Sequence, residues 1–266
     1  MRKLLNAILE KEKIEYFGII PFDRCKVINH DLYDRSFADW KPKSVIMMLA
    51  PYYSGEYEDR NISLYAASRD YHLYFKELYE RIGSVLTDAY PTRNFAMFSD
   101  HSPISEIYAA AKAGLGVVGD KFQLINEKYG SYTFIGEIFT DAEFDAYDLH
   151  EVAFCSHCGN CSEACPMEDG CLSELTQRKG ELNEDEAELI RINGTAWGCD
   201  LCRTSCPMNR DACQTPIEFF RESLITHLTS EEVNAMTKAE FRERAFAWRG
   251  KATILRNLKI LEMNGK

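Results

Sequence analysis

No apolar run in this chain of 266 residues approaches the 18 or so residues that a membrane-spanning helix needs. The N-terminus, Met1-Arg-Lys followed by a short apolar patch and then Glu10-Lys-Glu-Lys13, lacks the apolar core of a secretory signal. The two absences together read as a cytoplasmic protein. A positive charge balance is missing as well, since the formal net charge is -11. A field of that sign repels phosphate backbones unless basic residues are concentrated locally, so nucleic acid begins as a disfavoured partner. Without an export signal, the ten cysteines do not suggest a disulfide framework. Dense cysteine in a reducing compartment points to metal instead.

Most of those cysteines fall in two runs. The first reads Cys155-Ser-His-Cys158-Gly-Asn-Cys161-Ser-Glu-Ala-Cys165-Pro166, and the second Cys199-Asp-Leu-Cys202-Arg-Thr-Ser-Cys206-Pro207. C-x2-C-x2-C-x3-C-P is the bacterial ferredoxin spacing for a [4Fe–4S] cluster, and the second run is a shortened copy. Two residues between cysteines let successive thiolates converge on neighbouring irons of one cube. The cysteine before proline lies too far along to close the same cube and ligates the other. A pair of zinc sites is the competing reading, but zinc does not call for a three-cysteine run closed by a fourth and a proline. Two cubes need eight thiolates and the runs supply seven, so the eighth is Cys171, Cys213 or Cys25. Cys171, between the runs and close to Cys165, is favoured. The crossed arrangement then assigns Cys155, Cys158, Cys161 and Cys206 to one cluster, and Cys165, Cys171, Cys199 and Cys202 to the other. Each cluster with its thiolates adds roughly -2, which takes the holo protein to about -15.

Along the chain, apolar spacing predicts a helix over residues 4–13, a short buried strand over 16–20 and polar, irregular chain over 23–42. Residues 44–50 form a continuous apolar run bounded by prolines, which fits a central strand. A loop over 51–63 precedes a long helix over 65–86. A strand over 94–98 runs into Asp100-His-Ser-Pro103 and a helix over 104–113, with alanines for close packing and Gly114-Leu-Gly116 at its end. Residues 122–125 and 131–138 read as paired strands joined by Asn126 to Gly130. Residues 216–266 read as helical throughout, with Arg242, Arg244, Arg249, Lys251, Arg256 and Lys259 as a solvated basic face. Domain boundaries are expected at 1–150, 151–215 and 216–266. By residue type alone, Asp100 reads as the N-cap of the helix starting near Ile104.

Arg69-Asp-Tyr-His72, Asp100-His-Ser-Pro103, Glu106, Ala113-Gly-Leu-Gly116, Gly119 and Gly130-Ser-Tyr-Thr-Phe-Ile-Gly-Glu137 stand in the order seen in epoxyqueuosine reductases, and the two cysteine runs follow as they do there. Cys171-Leu-Ser-Glu-Leu-Thr176 matches that family's Cys-Ile-Ser-x-Leu-Thr motif, which supports Cys171 as the eighth ligand. Over about residues 40–215 the chain thus resembles that family. The resemblance implies an α+β fold: a nitroreductase-like cobalamin-binding domain shared with reductive dehalogenases, then a dicluster ferredoxin-like module and a short helical tail. It implies two [4Fe–4S] clusters and a base-off cobalamin, with electrons passed singly from the clusters to cobalt. Asp100 matches the family's proposed proton donor. Groups around Leu124, Ile135 and Asp200, with Asp100, would line the corrin, and Tyr71 and His72 would sit at the substrate pocket. The implied activity is reductive deoxygenation of epoxyqueuosine in tRNA, or of a related electrophile, within queuosine biosynthesis. The implied electron donor is a low-potential flavodoxin or ferredoxin.

Four features depart from the pattern. Ile107 stands where the family usually has Arg after its Glu, Gly119-Asp120-Lys121 replaces Gly-Lys-Asn, and Val117 replaces a common Trp. The long C-terminal helical-repeat domain is expected to be missing or reduced to residues 216–266. These features weaken the tRNA assignment and leave the clusters untouched. The alternatives are a dicluster electron-transfer or corrinoid-reducing protein with no substrate chemistry of its own, and a cluster-stabilised binding protein. An electron carrier would not require Asp100 with its glycine-rich followers.

Overall fold

In the computed structural model, which describes residues 1–263, helix α1 (Arg2–Lys11) leads into β1 (Tyr16–Pro21). Helix α2 (His30–Ser36), β2 (Ser44–Pro51), α3 (Tyr71–Ala89), β3 (Phe95–Ser99) and α4 (Glu106–Lys112) follow. Next come the short strands β4 (Val117–Val118) and β5 (Leu124–Ile125) and the long β6 (Thr133–Thr140). The remainder is helical: α5 (Asn160–Glu163), α6 (Leu172–Gln177), α7 (Glu184–Ile192), α8 (Leu201–Thr204), α9 (Ser230–Ala235), α10 (Lys238–Arg242) and α11 (Lys251–Glu262). No described helix is long and apolar enough to cross a membrane.

The chain divides into two compact units. The first comprises Met1–Tyr52, Tyr74–Cys158 and Met208–Ile217; the second comprises Tyr53–Leu73, Gly159–Pro207 and the chain from Glu218. In the first unit, four antiparallel strands lie in the order β1-β2-β6-β3. The apolar run of β2 is buried at every residue, as a central strand covered on both faces should be. The alanines of α4 allow a close approach to β1: a Cβ added at Gly18 would collide with the backbone of Ala113. The return segment is fastened by Asn209, whose Oδ1 accepts from Ser131 N at 2.7 Å and whose Nδ2 donates to Ser131 Oγ at 2.9 Å.

Three expectations are corrected here. Residues 122–125 and 131–138 do not form a hairpin: β5 pairs with β4, and β6 lies between β2 and β3. Asn126 and Gly130 share a single bridge, because Asn126 Oδ1 accepts from Lys128 N and Tyr129 N and folds the chain back at once. A helix, α2, stands in the stretch read as irregular; its only sequence signal is the Asn29 cap, whose Oδ1 accepts from Leu32 N. Residues 216–263 are short helices and turns rather than continuous helix, each of α9 and α10 opened by a Thr–Glu capping box.

In the second unit, Trp197 is fully buried among Leu228, Val233, Phe246, Ile254 and Leu258. Asn257, also fully buried, donates to Thr176 O at 2.7 Å and Ala196 O at 2.8 Å and so ties α11 to the cysteine-bearing segment. The basic run is not a uniform solvated face. Arg244 donates to Ser223 O, Lys251 to Val233 O and Met236 O, and Arg256 to Arg178 O and Gly180 O. Half of those six cations hold backbone carbonyls of their own unit.

Packing is close where β6 meets α3. A Cβ at Gly136 would come within 2.6 Å of Phe75 and 2.9 Å of the Tyr79 hydroxyl. Gly136→Ala is therefore expected to destabilise the first unit by about 1–3 kcal/mol, read as a lowered denaturant midpoint; an unchanged midpoint contradicts the packing.

Candidate active site and cluster ligands

Asp100 follows directly on β3 with φ 65°, a left-handed conformation that few residues other than glycine adopt and that aspartate tolerates better than most. It does not cap α4, which begins at Glu106 after Ser105. The segment from Ser99 to Ser105 is a strap pinned at several points. His101 N donates to Ser99 O at 2.7 Å. Ser102 is buried; its Oγ donates to Glu137 Oε2 at 2.6 Å and accepts from Ile104 N at 3.1 Å. Pro103 O accepts from Ile28 N and Asn29 N, and Ser105 N donates to Lys26 O. The strap thereby lies against residues 26–31. The cleft they enclose measures about 570 Å³, with Ile28, Asn29, His30 and Asp31 on one wall and Asp100, His101 and Ser102 on the other.

Under the strap lie two further carboxyl groups. Glu137 projects from β6 and is fully buried, at 0% exposure. Burial pushes its carboxyl well above the usual range; the Ser102 hydrogen bond opposes that shift and the charge of Glu106 adds to it. Glu106, in the first turn of α4, is pushed up to about 7 by burial and then by the charge of Asp100. The Tyr79 hydroxyl from α3 donates to Phe98 O and accepts from Glu137 N at 3.0 Å, joining β3 to β6 beside the buried acid. The charge of Asp100 thus acts on Glu106 and that of Glu106 on Glu137, all within the first unit, and Asp100 is the one of the three that lines the cleft. Sequence reasoning identified Asp100 but gave Glu137 and Ser102 no role. The available signal was an acid inside the otherwise apolar Thr133-Phe-Ile-Gly-Glu-Ile-Phe-Thr140 strand.

The cysteines fall in both units. Cys155 and Cys158 close the first; Cys161, Cys165, Cys171, Cys199, Cys202 and Cys206 belong to the second. None forms a disulfide. Cys161 lies on α5, opened by Gly159 at φ 84°, and Cys202 lies on α8; the two helices pack together. Cys199 packs beside Leu172, Leu175 and Ile190. Burial pushes its thiol up to about 11, and the charges of Asp200, Cys202 and Cys171 act in the same direction. Cys171 and Cys202 are thus within electrostatic range of Cys199. In the first unit, ligand atoms of Asp120, Cys155 and His157 lie within 4.8 Å of one another, with Asp120 Oδ1 2.6 Å from His157 Nδ1. Cys25 is partly buried against the core, and burial pushes its thiol up to about 12. Cys213 N donates to Lys128 O in the first unit, apart from the second-unit cysteines in the division of the chain.

The remaining positions fall in both units. Leu124 and Ile135, at 4% and 8% exposure, pack in the core around the alanines of α4. Asp200, at 5%, is occupied within the second unit: it accepts from Arg60 at 2.5 Å, Ser63 Oγ at 2.6 Å and Leu64 N at 2.8 Å. Tyr71 and His72 stack with ring centroids 4.2 Å apart, and Asp70 Oδ1 accepts from His72 N. Both belong to the second unit and Asp100 to the first.

An acid-bearing strap over a buried carboxyl layer, on a chain that also carries ferredoxin-spaced cysteines, defines an oxidoreductase of mixed helix-and-sheet fold. No family model matches the chain. An epoxyqueuosine reductase of Leadbetterella byssophila is 34% identical over 73% of this chain and 68% of its own length. One of Listeria monocytogenes is 29% identical over 97% of this chain and 73% of its own. The chain belongs to the epoxyqueuosine reductase family. The fold agrees: the structure of epoxyqueuosine reductase from Streptococcus thermophilus superposes with a TM-score of 0.79 at 21% identity, over 99% of this chain and 81% of that one. An epoxyqueuosine reductase solved with a modified tRNA-Tyr stem loop superposes equally well, at 0.79 and 22% identity, over 98% and 81%.

Iron content tests the three candidates for the eighth ligand. After anaerobic reconstitution, Cys171→Ala is expected to lose about half of the roughly eight irons that two [4Fe–4S] clusters hold. Cys213→Ala and Cys25→Ala are expected to keep all of them. Iron loss in Cys213→Ala with retention in Cys171→Ala contradicts the assignment.

Proposed function

We propose that this reductase removes the epoxide oxygen of epoxyqueuosine in tRNA, with two [4Fe–4S] clusters and cobalamin as its redox groups and Asp100 as the proton donor. The carrying observation is the strap, which holds Asp100 in a rare backbone conformation at the mouth of a cleft, in a chain of this family. The relative solved with a tRNA-Tyr stem loop supports the same substrate class here. The competing electron-carrier reading gives no use to an acid so placed.

The donor set fits iron–sulfur clusters. Cys165, Cys171, Cys199 and Cys202, the set for one cluster, all lie in the second unit, and Cys171 and Cys202 act electrostatically on Cys199. The set Cys155, Cys158, Cys161 and Cys206 rests on spacing. We read the Asp120 and His157 groups beside Cys155 as surroundings of that cluster rather than a separate metal site. Cobalamin rests on family membership. The positions proposed to contact it do not by themselves make a seat, because Leu124 and Ile135 are closed in the core and the Asp200 carboxylate is occupied.

What the chain itself contributes is proton delivery. Removing the epoxide oxygen as water, with an alkene left behind, takes two electrons and two protons. Electrons come from a low-potential flavodoxin or ferredoxin through the clusters. Asp100, facing the cleft, protonates the oxygen as its bond to carbon breaks. The strap's hydrogen bonds hold that carboxyl in place, which lowers the cost of orienting it at each turnover. Residues 1–150 then carry the chemistry, 151–215 the clusters, and 216–266 brace the cluster segment through α11 against α6 and α7.

The direct test is anaerobic conversion of an epoxyqueuosine-containing stem loop, followed by mass spectrometry of its nucleosides. Wild type is expected to form queuosine, and Asp100→Asn to slow it about 100-fold or more with iron content unchanged. Equal rates remove Asp100 from the chemistry. Reduced clusters with no queuosine formed by wild type favour the electron-carrier reading.

A further inference from the structure

Glu106 Oε2 and Glu137 Oε1 are both shielded from solvent and have no hydrogen-bond partner among the described residues. An ionised carboxylate left in that state is costly. Among the described residues, the charge acting on Glu106 is that of Asp100 and the charge acting on Glu137 is that of Glu106, and no cation offsets the cost. The other groups facing this layer are neutral or distant in effect. From α3 come the Tyr79 hydroxyl, engaged with Phe98 O and Glu137 N, and Tyr74, which acts on Tyr79. From the segment after β1 comes the Cys25 thiol, which feels the charge of Glu137 and of Lys112. Lys112 itself donates to Arg24 O at 2.6 Å. Each of these carboxyl groups avoids the cost of a buried, unpartnered charge by holding a proton.

We propose that Glu106 and Glu137 are a proton-storing carboxyl pair that reloads Asp100, supplying the second of the two protons that deoxygenation consumes. The proposal rests on the deoxygenase reading above. Asp100 gives its proton to the oxygen as the first carbon–oxygen bond breaks, forming a hydroxyl. Glu106, already affected by the charge on Asp100, passes its proton to the Asp100 carboxylate, and Asp100 delivers it as the hydroxyl leaves as water. Two electrons from the iron–sulfur clusters complete the balance. Between turnovers the pair regains a proton by way of Asp100, which lines the cleft. Ser102 fixes the inner end of this row by holding Glu137 Oε2, and the strap that carries Asp100 is the same one that carries Ser102. Glu106 and Glu137 do not touch substrate; they position and replenish the acid that does.

The test has two arms on the reconstituted enzyme. In the first, infrared spectra of protein without substrate, uniformly labelled with 13C-glutamate, are recorded across pH. A protonated glutamate carboxyl band is expected at neutral pH in wild type and is expected to be lost or shifted in Glu106→Gln. In the second, turnover of the modified stem loop is followed against pH. Glu106→Gln, at the more accessible end of the pair, is expected to reduce kcat by at least about tenfold near pH 7, where the wild-type pair still holds a proton, with KM and iron content unchanged. It is expected to approach wild type as pH falls and solvent protons substitute. Glu137→Gln, if it folds, is expected to show the same pattern. Absence of the band in wild type overturns the pair. A Glu106→Gln profile parallel to or coincident with wild type overturns the relay. A band present in wild type that shows no turnover of the stem loop defeats the deoxygenase reading and the relay's role in it, while leaving the stored proton in place.

Discussion

A carboxyl side chain without access to water stands on the second of the two central strands of a four-stranded sheet, and the cleft end of the first unit is arranged around it. Glu137 is tolerable there because Ser102 donates to one of its oxygens and because burial favours its neutral form. The same hydrogen bond draws the chain after β3 down onto the sheet. With Ser102 fixed, Asp100 two residues earlier is left at the cleft in a left-handed conformation. Backbone strain at one residue, a buried polar contact at another and an acid at the cleft are therefore one feature rather than three. Tyr79 completes it by clamping β3 and β6 through Phe98 O and Glu137 N, in space that only a glycine at 136 leaves open.

The second unit solves a different problem. Its cysteine segments carry little regular structure: α5 and α8 are four residues each, and α6 is six. Their support comes from Trp197 and its apolar neighbours, and from polar side chains that saturate loop carbonyls. Asn257, Arg256, Lys251 and Arg244 all donate to backbone oxygens. Asp200 gathers Arg60, Ser63 and Leu64 N around the start of α8. Irregular chain of this kind is held by such contacts because it has few internal backbone bonds of its own.

Much of this was legible in the sequence, and the failures have physical causes. The β2 strand was readable because a continuous apolar run between prolines has few other solutions. The cysteine runs were readable because thiolate convergence on one cube fixes their spacing. The pairing of β6 was not, since local turn chemistry at Asn126 to Gly130 looks the same whether the chain closes a hairpin or leaves for another sheet. Helix α2 was missed because Asp31, Asp34 and Arg35 hide its period, leaving only the Asn29 cap. The basic residues of the C-terminal segment read as solvated because charge alone does not reveal a carbonyl within reach. Asp100 was found by motif, but its φ and its buried neighbours belong to tertiary structure. Glu137 carried a signal, an acid amid apolar strand residues, that periodicity treats as noise.

Burial holds Glu137 neutral inside the folded chain. A carboxyl held above its unfolded value of 4.5 binds protons more tightly in the folded state, so its contribution to stability is present at low pH and lost as pH rises above 4.5 toward the raised value. The most direct measurement is denaturant unfolding of wild type and Glu137→Gln at a series of pH values from 4.5 upward. The account predicts that wild type loses stability relative to the variant as pH rises. A difference between the two that is flat with pH, or that moves in wild type's favour, contradicts it.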